Sequence, residues 1–250
     1  MAFTTANTVE EFRRNLDDVQ RRIDAAAMRA GRDPQSIRLQ PVSKTVSEER
    51  IRNAIAAGCT RLGENKVQEA KWKHAALLDT GVEWSIIGHL QRNKAKDVVA
   101  FASEFHALDS LRLAEALDRR LQAAGRSLDV YVQVNTSGEE SKYGIDPDDL
   151  PELLMSLRGL DSLNVRGLMT LAIFTDDQEA VRRCFQILRR LRDEMRDLDP
   201  ELVGLGELSM GMSGDFETAI EEGADVVRVG QSIFGARPTP DSDYWPTAAH

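Results

Sequence analysis

From residue 9 to 30 the apolar positions recur every three to four residues. Val9, Phe12, Leu16, Val19, Ile23, Ala26 and Ala27 share one face with Arg and Asp opposite, which predicts an amphipathic helix. Gly31 stops it and Asp33-Pro34 makes a turn. Beyond that point short apolar runs alternate with amphipathic stretches. Strands are predicted over 37–42, 60–62, 82–87, 104–108, 128–134, 165–171, 207–210 and 224–229. Helices are predicted over 47–57, 67–78, 93–100, 110–124, from Asp146-Pro147 onward, and over 177–198 and 215–222. Ser47 stands as the N-cap of the second helix and Gly58 as its stop, and a short apolar segment, 231–234, follows the last strand. Eight strands alternating with helices, without a domain-sized linker, predict one α/β domain: a single (β/α)₈ TIM barrel with an extra N-terminal helix. Its core covers about 9–237, and 238–250 form a Pro-rich tail.

Composition narrows the function classes. With 42% hydrophobic and 29% charged residues the balance is that of a soluble globular protein. A net charge of −9 argues against nucleic-acid binding, which rests on basic surface, but leaves room for an anionic ligand held by backbone donors. No apolar run approaches the ~20 residues that cross a bilayer. The first residues lack a basic region followed by an apolar core, so a cytoplasmic protein is expected. Cys59 and Cys184 stand far apart, which suits free thiols in a reducing compartment. The four histidines, His74, His89, His106 and His250, have no metal-ligand spacing.

Candidate chemistry sits at two strand ends. Lys44 closes the run Gln40-Pro41-Val42-Ser43-Lys44-Thr45, where a strand gives way to a helix, and barrels place reactive groups there. Residue type alone favours a solvated loop lysine. The far end of the chain changes the balance. Met210-Gly211-Met212-Ser213-Gly214-Asp215 and Val229-Gly230-Gln231-Ser232 are successive strand-to-helix turns rich in small residues, able to converge backbone N–H groups on an anion. Met210, Ser213, Gly214, Gly230, Gln231 and Ser232 are therefore the candidate phosphate cradle, in the loops after strands seven and eight. A strand-end lysine with a phosphate cradle suggests a phosphorylated aldehyde held as a Schiff base, pyridoxal 5′-phosphate (PLP) first among them. Arg228 alternates with Val227 and Val229. It either points outward to a helix carboxylate or inward, where it could hydrogen-bond the cofactor's pyridine nitrogen and make the ring a poorer electron sink.

These motifs come together in one family. Val42-Ser43-Lys44-Thr45, Gly63-Glu64-Asn65-Lys66-Val67-Gln68-Glu69, Ile87-Gly88-His89-Leu90-Gln91-Arg92-Asn93-Lys94 and Ser141-Lys142-Tyr143-Gly144 occur in order. Arg166-Gly167-Leu168-Met169, Leu208-Ser209-Met210-Gly211-Met212-Ser213, Val227-Arg228-Val229-Gly230 and Ile233-Phe234-Gly235 follow. The chain resembles the pyridoxal phosphate homeostasis proteins (YggS/PROSC-like), barrels related to the alanine racemase N-terminal domain, from about Val9 to Arg237. The resemblance implies the PLP fold type III barrel without its C-terminal β domain. It also implies Lys44 as the Schiff-base lysine, Asn65 near the ring, and Ser213, Gly214, Gly230 and Gln231 on the phosphate, with Arg228 at the pyridine nitrogen. It further implies a vitamin B6 carrier or buffer without an established reaction, with apo PLP-dependent enzymes as recipients and Lys142 as a secondary aldehyde acceptor. Two positions depart from the family pattern: His89 stands where members usually carry proline, and Gln231 where they carry threonine.

The main alternative is a PLP-dependent amino-acid racemase of the same barrel type. That chemistry needs two acid/base groups on opposite faces of the cofactor. In the racemases that this chain resembles, a second domain supplies the opposing tyrosine. Only Ala236 to His250 follow the last turn here, too few for a domain, and Tyr131, Tyr143 and Tyr244 are the tyrosines available. That favours a binding protein, not an enzyme, and a monomer. A Schiff-base aldolase acting on a sugar phosphate would use the same cradle and the same lysine.

Overall fold

In the computed structural model, residues 3–139 and 143–236 are described; Lys142 and the tail from 237 lie outside them. The first helix, α1 (Val9–Arg29), opens on a capping box: the Thr8 hydroxyl accepts from the Glu11 amide, and the Glu11 carboxylate accepts from the Thr8 amide at 3.0 Å. Its stripe of Phe12, Val19, Ile23, Ala26 and Ala27 is buried. Eight βα units follow: β1 (Arg38–Pro41), α2 (Glu48–Ala56), β2 (Arg61–Glu64), α3 (Val67–Ala76), β3 (Glu83–Ile86) and α4 (Ala95–Phe101). Then come β4 (Glu104–Leu108), α5 (Leu111–Ala124), β5 (Leu128–Gln133), α6 (Leu150–Leu157), β6 (Leu163–Met169) and α7 (Gln178–Leu198). The last are β7 (Glu207–Ser209), α8 (Phe216–Glu221), β8 (Val226–Val229) and the single turn α9 (Gln231–Phe234).

All eight strands pair in parallel in the order β1-β8-β7-β6-β5-β4-β3-β2. One bridge, Val42 to Gly63, joins the two ends of that ladder. The expected barrel is therefore present, with α1 as the extra helix. Helix α1 backs the last units: the Asn15 amide donates to the Ile233 carbonyl at 2.8 Å, and Phe12 meets Phe234 edge-on at 5.5 Å.

Several boundaries differ from the sequence expectation. The sequence pattern ends strand two at 62, whereas β2 runs on through Gly63 and Glu64, whose buried carboxyl meets Lys73 at 2.8 Å. Strand six was expected over 165–171 but begins at Leu163, paired to Leu128, and stops before Thr170. There the Thr170 hydroxyl turns to the Val134 carbonyl at 2.8 Å. The segment after Asp146 opens as a 3₁₀ turn, Pro147–Asp149, before α6. Ser47 occupies the N-cap of α2 but makes no side-chain cap bond.

Candidate functional site

Strand carboxyl ends gather the candidate residues. Lys44, half-buried, lies just past β1, and Asn65, also half-buried, just past β2. The Ser43 amide donates to the Gly63 carbonyl at 3.1 Å, so the two turns stand side by side. Gly88, just past β3, packs so closely on Asn65 that a Cβ there would lie 2.4 Å from the Asn65 carbonyl oxygen. A small cavity of about 30 Å³ is lined by Lys44, Thr45, Arg50, Gly230 and Gln231, which brings the β1 and β8 turns together. A larger cavity, about 790 Å³, opens at the opposite end, among Arg38, Arg61, Glu83, Glu104, Arg166 and Glu207. Its charges pair with one another: Arg38 with Glu104 at 2.7 Å and Arg166 with Glu207 at 3.0 Å. In barrels the amino end serves stability and chemistry gathers at the carboxyl end, so the smaller cavity is the candidate site.

The turns after β7 and β8 meet on one hydroxyl. Ser213 Oγ accepts from the Gly230 amide at 3.2 Å and from the Ser232 amide at 3.4 Å. Two amides aimed at a single oxygen are the donor set of an anion site. Ser232 Oγ is buried beside them and has no hydrogen-bond partner among the described residues. A buried hydroxyl without a partner is costly, and an arriving phosphate oxygen would satisfy it. Gly214 is exposed and a Cβ there would meet nothing within 4 Å, so the cradle has an open side. Met210 is fully buried at the base of the β7 turn, and its amide is committed to the Val226 carbonyl. Met210 thus supports the β7 turn from beneath.

Arg228 points inward. It is 3% exposed, and its two terminal nitrogens donate to Ser209 Oγ at 2.7 Å and to the Thr170 carbonyl at 2.8 Å. Burial draws its guanidinium down to about 10, against the nearby Asp215 charge, so it remains cationic at neutral pH. Ser209 in turn meets His106 Nδ1 at 2.9 Å, and His106 Nε2 meets Glu104 at 3.0 Å. Strands β4 and β7 are not neighbours, so the His106–Ser209 bond crosses the barrel interior. Burial lowers the His106 pKa although Glu104 opposes it, which leaves the imidazole neutral. Burial works to raise Glu104, but bonds from His106 and Arg38 outweigh it and hold the carboxylate below the usual range. One direction of donation then satisfies every group: Arg228 to Ser209, Ser209 to His106 Nδ1, and His106 Nε2 to Glu104.

Sequence reasoning missed Thr170 and Ser209, which hold Arg228, His106, which holds Ser209, and Lys73, 1% exposed on α3. Lys73 shares the face of Val67, Ala70 and Leu77, and a lysine on an apolar stripe was the available signal. His89 stacks on Tyr143 with ring centroids 4.0 Å apart and meets Asp109 at 3.3 Å. Among the described residues no cluster could hold a metal ion, and no helix is long and apolar enough to cross a membrane.

The fold is thus a (β/α)₈ barrel whose candidate site lies at the strand carboxyl ends, and comparison with known proteins gives the same fold class. The family model of the alanine racemase N-terminal domain matches residues 10–238. The pyridoxal phosphate homeostasis protein of Pseudomonas aeruginosa is 43% identical over 223 residues, covering 89% of this chain and 94% of that one. Its counterpart in Escherichia coli K12 is 40% identical over 232 residues, covering 92% and 98%. PipY of Synechococcus elongatus, solved with PLP bound, superposes with a TM-score of 0.76 at 38% identity, covering 86% of this chain and all of that one (100%). Alanine racemase of Corynebacterium glutamicum shares the fold alone, at 18% identity and a TM-score of 0.67, with 64% of its length covered. The chain belongs to the alanine racemase N-terminal-domain family and, within it, to the pyridoxal phosphate homeostasis proteins.

Proposed function

We propose that this protein binds PLP through a Schiff base to Lys44 and serves cytoplasmic PLP homeostasis as a monomeric carrier, not as an enzyme. The observation that carries the reading is the convergence of the Gly230 and Ser232 amides on Ser213 Oγ, beside the unpartnered Ser232 hydroxyl, at the barrel end that bears Lys44. PLP supplies an aldehyde that condenses with a lysine amine, releasing one water, and a phosphate that brings negative charge. The fit is specific in its donors: amides for the phosphate, an amine for the aldehyde, and in Arg228 a group that can only donate. An always-donating arginine opposite a ring nitrogen keeps that nitrogen unprotonated, which favours holding over carbanion chemistry. Asn65, in the turn after β2, would flank the ring. The bound structure of PipY and the names of the 40–43% identical relatives support the cofactor assignment.

Racemisation would need a second acid/base group facing the lysine. Of the described tyrosines, Tyr131 bonds Glu207 and Arg38, and Tyr143 stacks on His89 with 59% of its surface exposed. Neither is set by these contacts toward Lys44. The carrier's recipients would be apo PLP-dependent enzymes. The test is a visible absorbance band on the purified protein, borohydride trapping, and mapping of the modified peptide. The expected result is a pyridoxyl group on Lys44 and a colourless Lys44→Ala protein. A band that survives Lys44→Ala, or deuterium wash-in at an amino-acid Cα that depends on Lys44, overturns the reading.

A further inference from the structure

Lys73 is a buried cation outside the PLP-binding set described above. At 1% exposure it spends its three N–H donors on the Ser43 carbonyl at 2.7 Å, Glu64 Oε1 at 2.8 Å and Glu69 Oε1 at 2.7 Å. The same two carboxylates reach back to the β1 turn. Ser43 Oγ donates to Glu64 Oε1 at 2.6 Å, and the Thr45 amide donates to Glu69 Oε1 at 2.6 Å. The backbone is thus tied on both sides of Lys44 to one ammonium group, directly at Ser43 and through Glu69 at Thr45.

The turn needs that hold. Thr45 has φ 65°, and it is the only non-glycine residue with positive φ among the described residues. For a β-branched side chain the left-handed region is strained and persists only where surrounding contacts over-determine it. Burying a lysine with two carboxylates adds little to stability by itself, because the desolvation of the charges offsets their attraction. What the arrangement does secure is the direction in which the Lys44 stem leaves the strand.

We infer that Lys73, with Glu64 and Glu69, is a positioning clamp that fixes the strained Ser43-Lys44-Thr45 turn so that the Lys44 amine is presented to an incoming aldehyde. The inference rests on the Schiff-base reading of Lys44. Lys73 and the two glutamates touch the turn, not the ligand, so they act through Lys44.

Two variants test it. Glu69→Ala frees the Thr45 amide and leaves Glu64 to balance Lys73, at a side chain already 25% exposed. Lys73→Met combined with Glu64→Gln removes the ammonium and the fully buried carboxyl together and leaves only Glu69, a quarter exposed, on the Thr45 amide. In the unloaded protein, Glu69→Ala is expected to speed amide hydrogen exchange at Thr45. In both variants the rate of PLP fixation at Lys44, followed by borohydride trapping and peptide mapping, should fall about tenfold. Affinity for pyridoxine 5′-phosphate, an alcohol that cannot condense, should stay within about twofold of wild type, because the cradle is untouched. Unchanged fixation rates, unchanged Thr45 exchange, or a fixation rate that falls only in step with pyridoxine 5′-phosphate affinity would each overturn the clamp. If the wild-type protein is trapped at a residue other than Lys44, it is the Schiff-base reading that fails, and the positioning role goes with it.

Discussion

Ser213 places its hydroxyl oxygen on the Gly230 and Ser232 amides, the two donors that an anion's oxygen would collect there. At this scale each atom has a separate consequence. Gly230 has little room for a side chain: a Cβ would lie 3.1 Å from the Val42 carbonyl oxygen, tighter than ordinary contact. Gly230→Ala should therefore shift the turn by a few tenths of an ångström and weaken binding of pyridoxine 5′-phosphate, as titration calorimetry would show. Gln231, at the first position of α9, gives the cradle a backbone amide but no hydroxyl. Gln231→Thr should add one hydrogen bond to the bound phosphate, tightening PLP by about threefold to tenfold. An unchanged affinity would show that position 231 contributes through its backbone alone.

At the scale of elements, β2 and α3 act as a pair, and Glu64 joins them. Burial pushes the Glu64 carboxyl up from 4.5 to about 7, against the attraction of Lys73. A carboxyl whose folded pKa lies above its unfolded value binds its proton more tightly when folded. Its contribution to stability is therefore present at low pH and lost as pH rises from about 4.5 through about 7. Melting temperatures of wild type and Glu64→Gln, measured from pH 5 to 8, should differ in slope. Wild type loses about 3 kcal/mol relative to the variant over that window. Parallel curves would mean that Glu64 is ionised throughout. The same residue shows why part of the fold was hidden from sequence reading. Gly63-Glu64 carries turn-like residues, so the sequence pattern ends strand two at 62, and the partner that Lys73 gives the buried Glu64 carboxyl comes from α3, which the strand's own residues do not show. The βα alternation, by contrast, was legible because apolar runs such as Val130 and Val132 face a packed layer whatever else surrounds them. Lys44, Ser213 and Arg228 were legible as candidates because they stand at or beside strand carboxyl ends. Ser209, His106 and Thr170 were not, because Ser209 and Thr170 meet Arg228, and His106 meets Ser209, from strands and turns that sequence order leaves far apart.

For the molecule as a whole, the two ends of the barrel do different work, and a file of polar groups runs between them. From Arg228 it passes through Ser209, His106 and Glu104 to Arg38, then through Tyr131 to Glu207 and Arg166 at the amino end. A file of bonds transmits a change only where some member has a second arrangement to adopt. Arg228 is held independently by the Thr170 carbonyl and by the charge of Asp215, so its place does not depend on the far end. Arg166, a third exposed, joins Glu207 at 3.0 Å and Asp129 at 3.4 Å across the amino-end cavity. Arg166→Met should leave both carboxylates without that partner and lower stability by roughly 1–2 kcal/mol in urea unfolding, since the pairs are half-buried. Affinity for PLP should be unchanged in the same variant. If it moved in step with the lost stability, the polar file would be a path of coupling and the amino-end cavity a place from which cofactor release could be controlled.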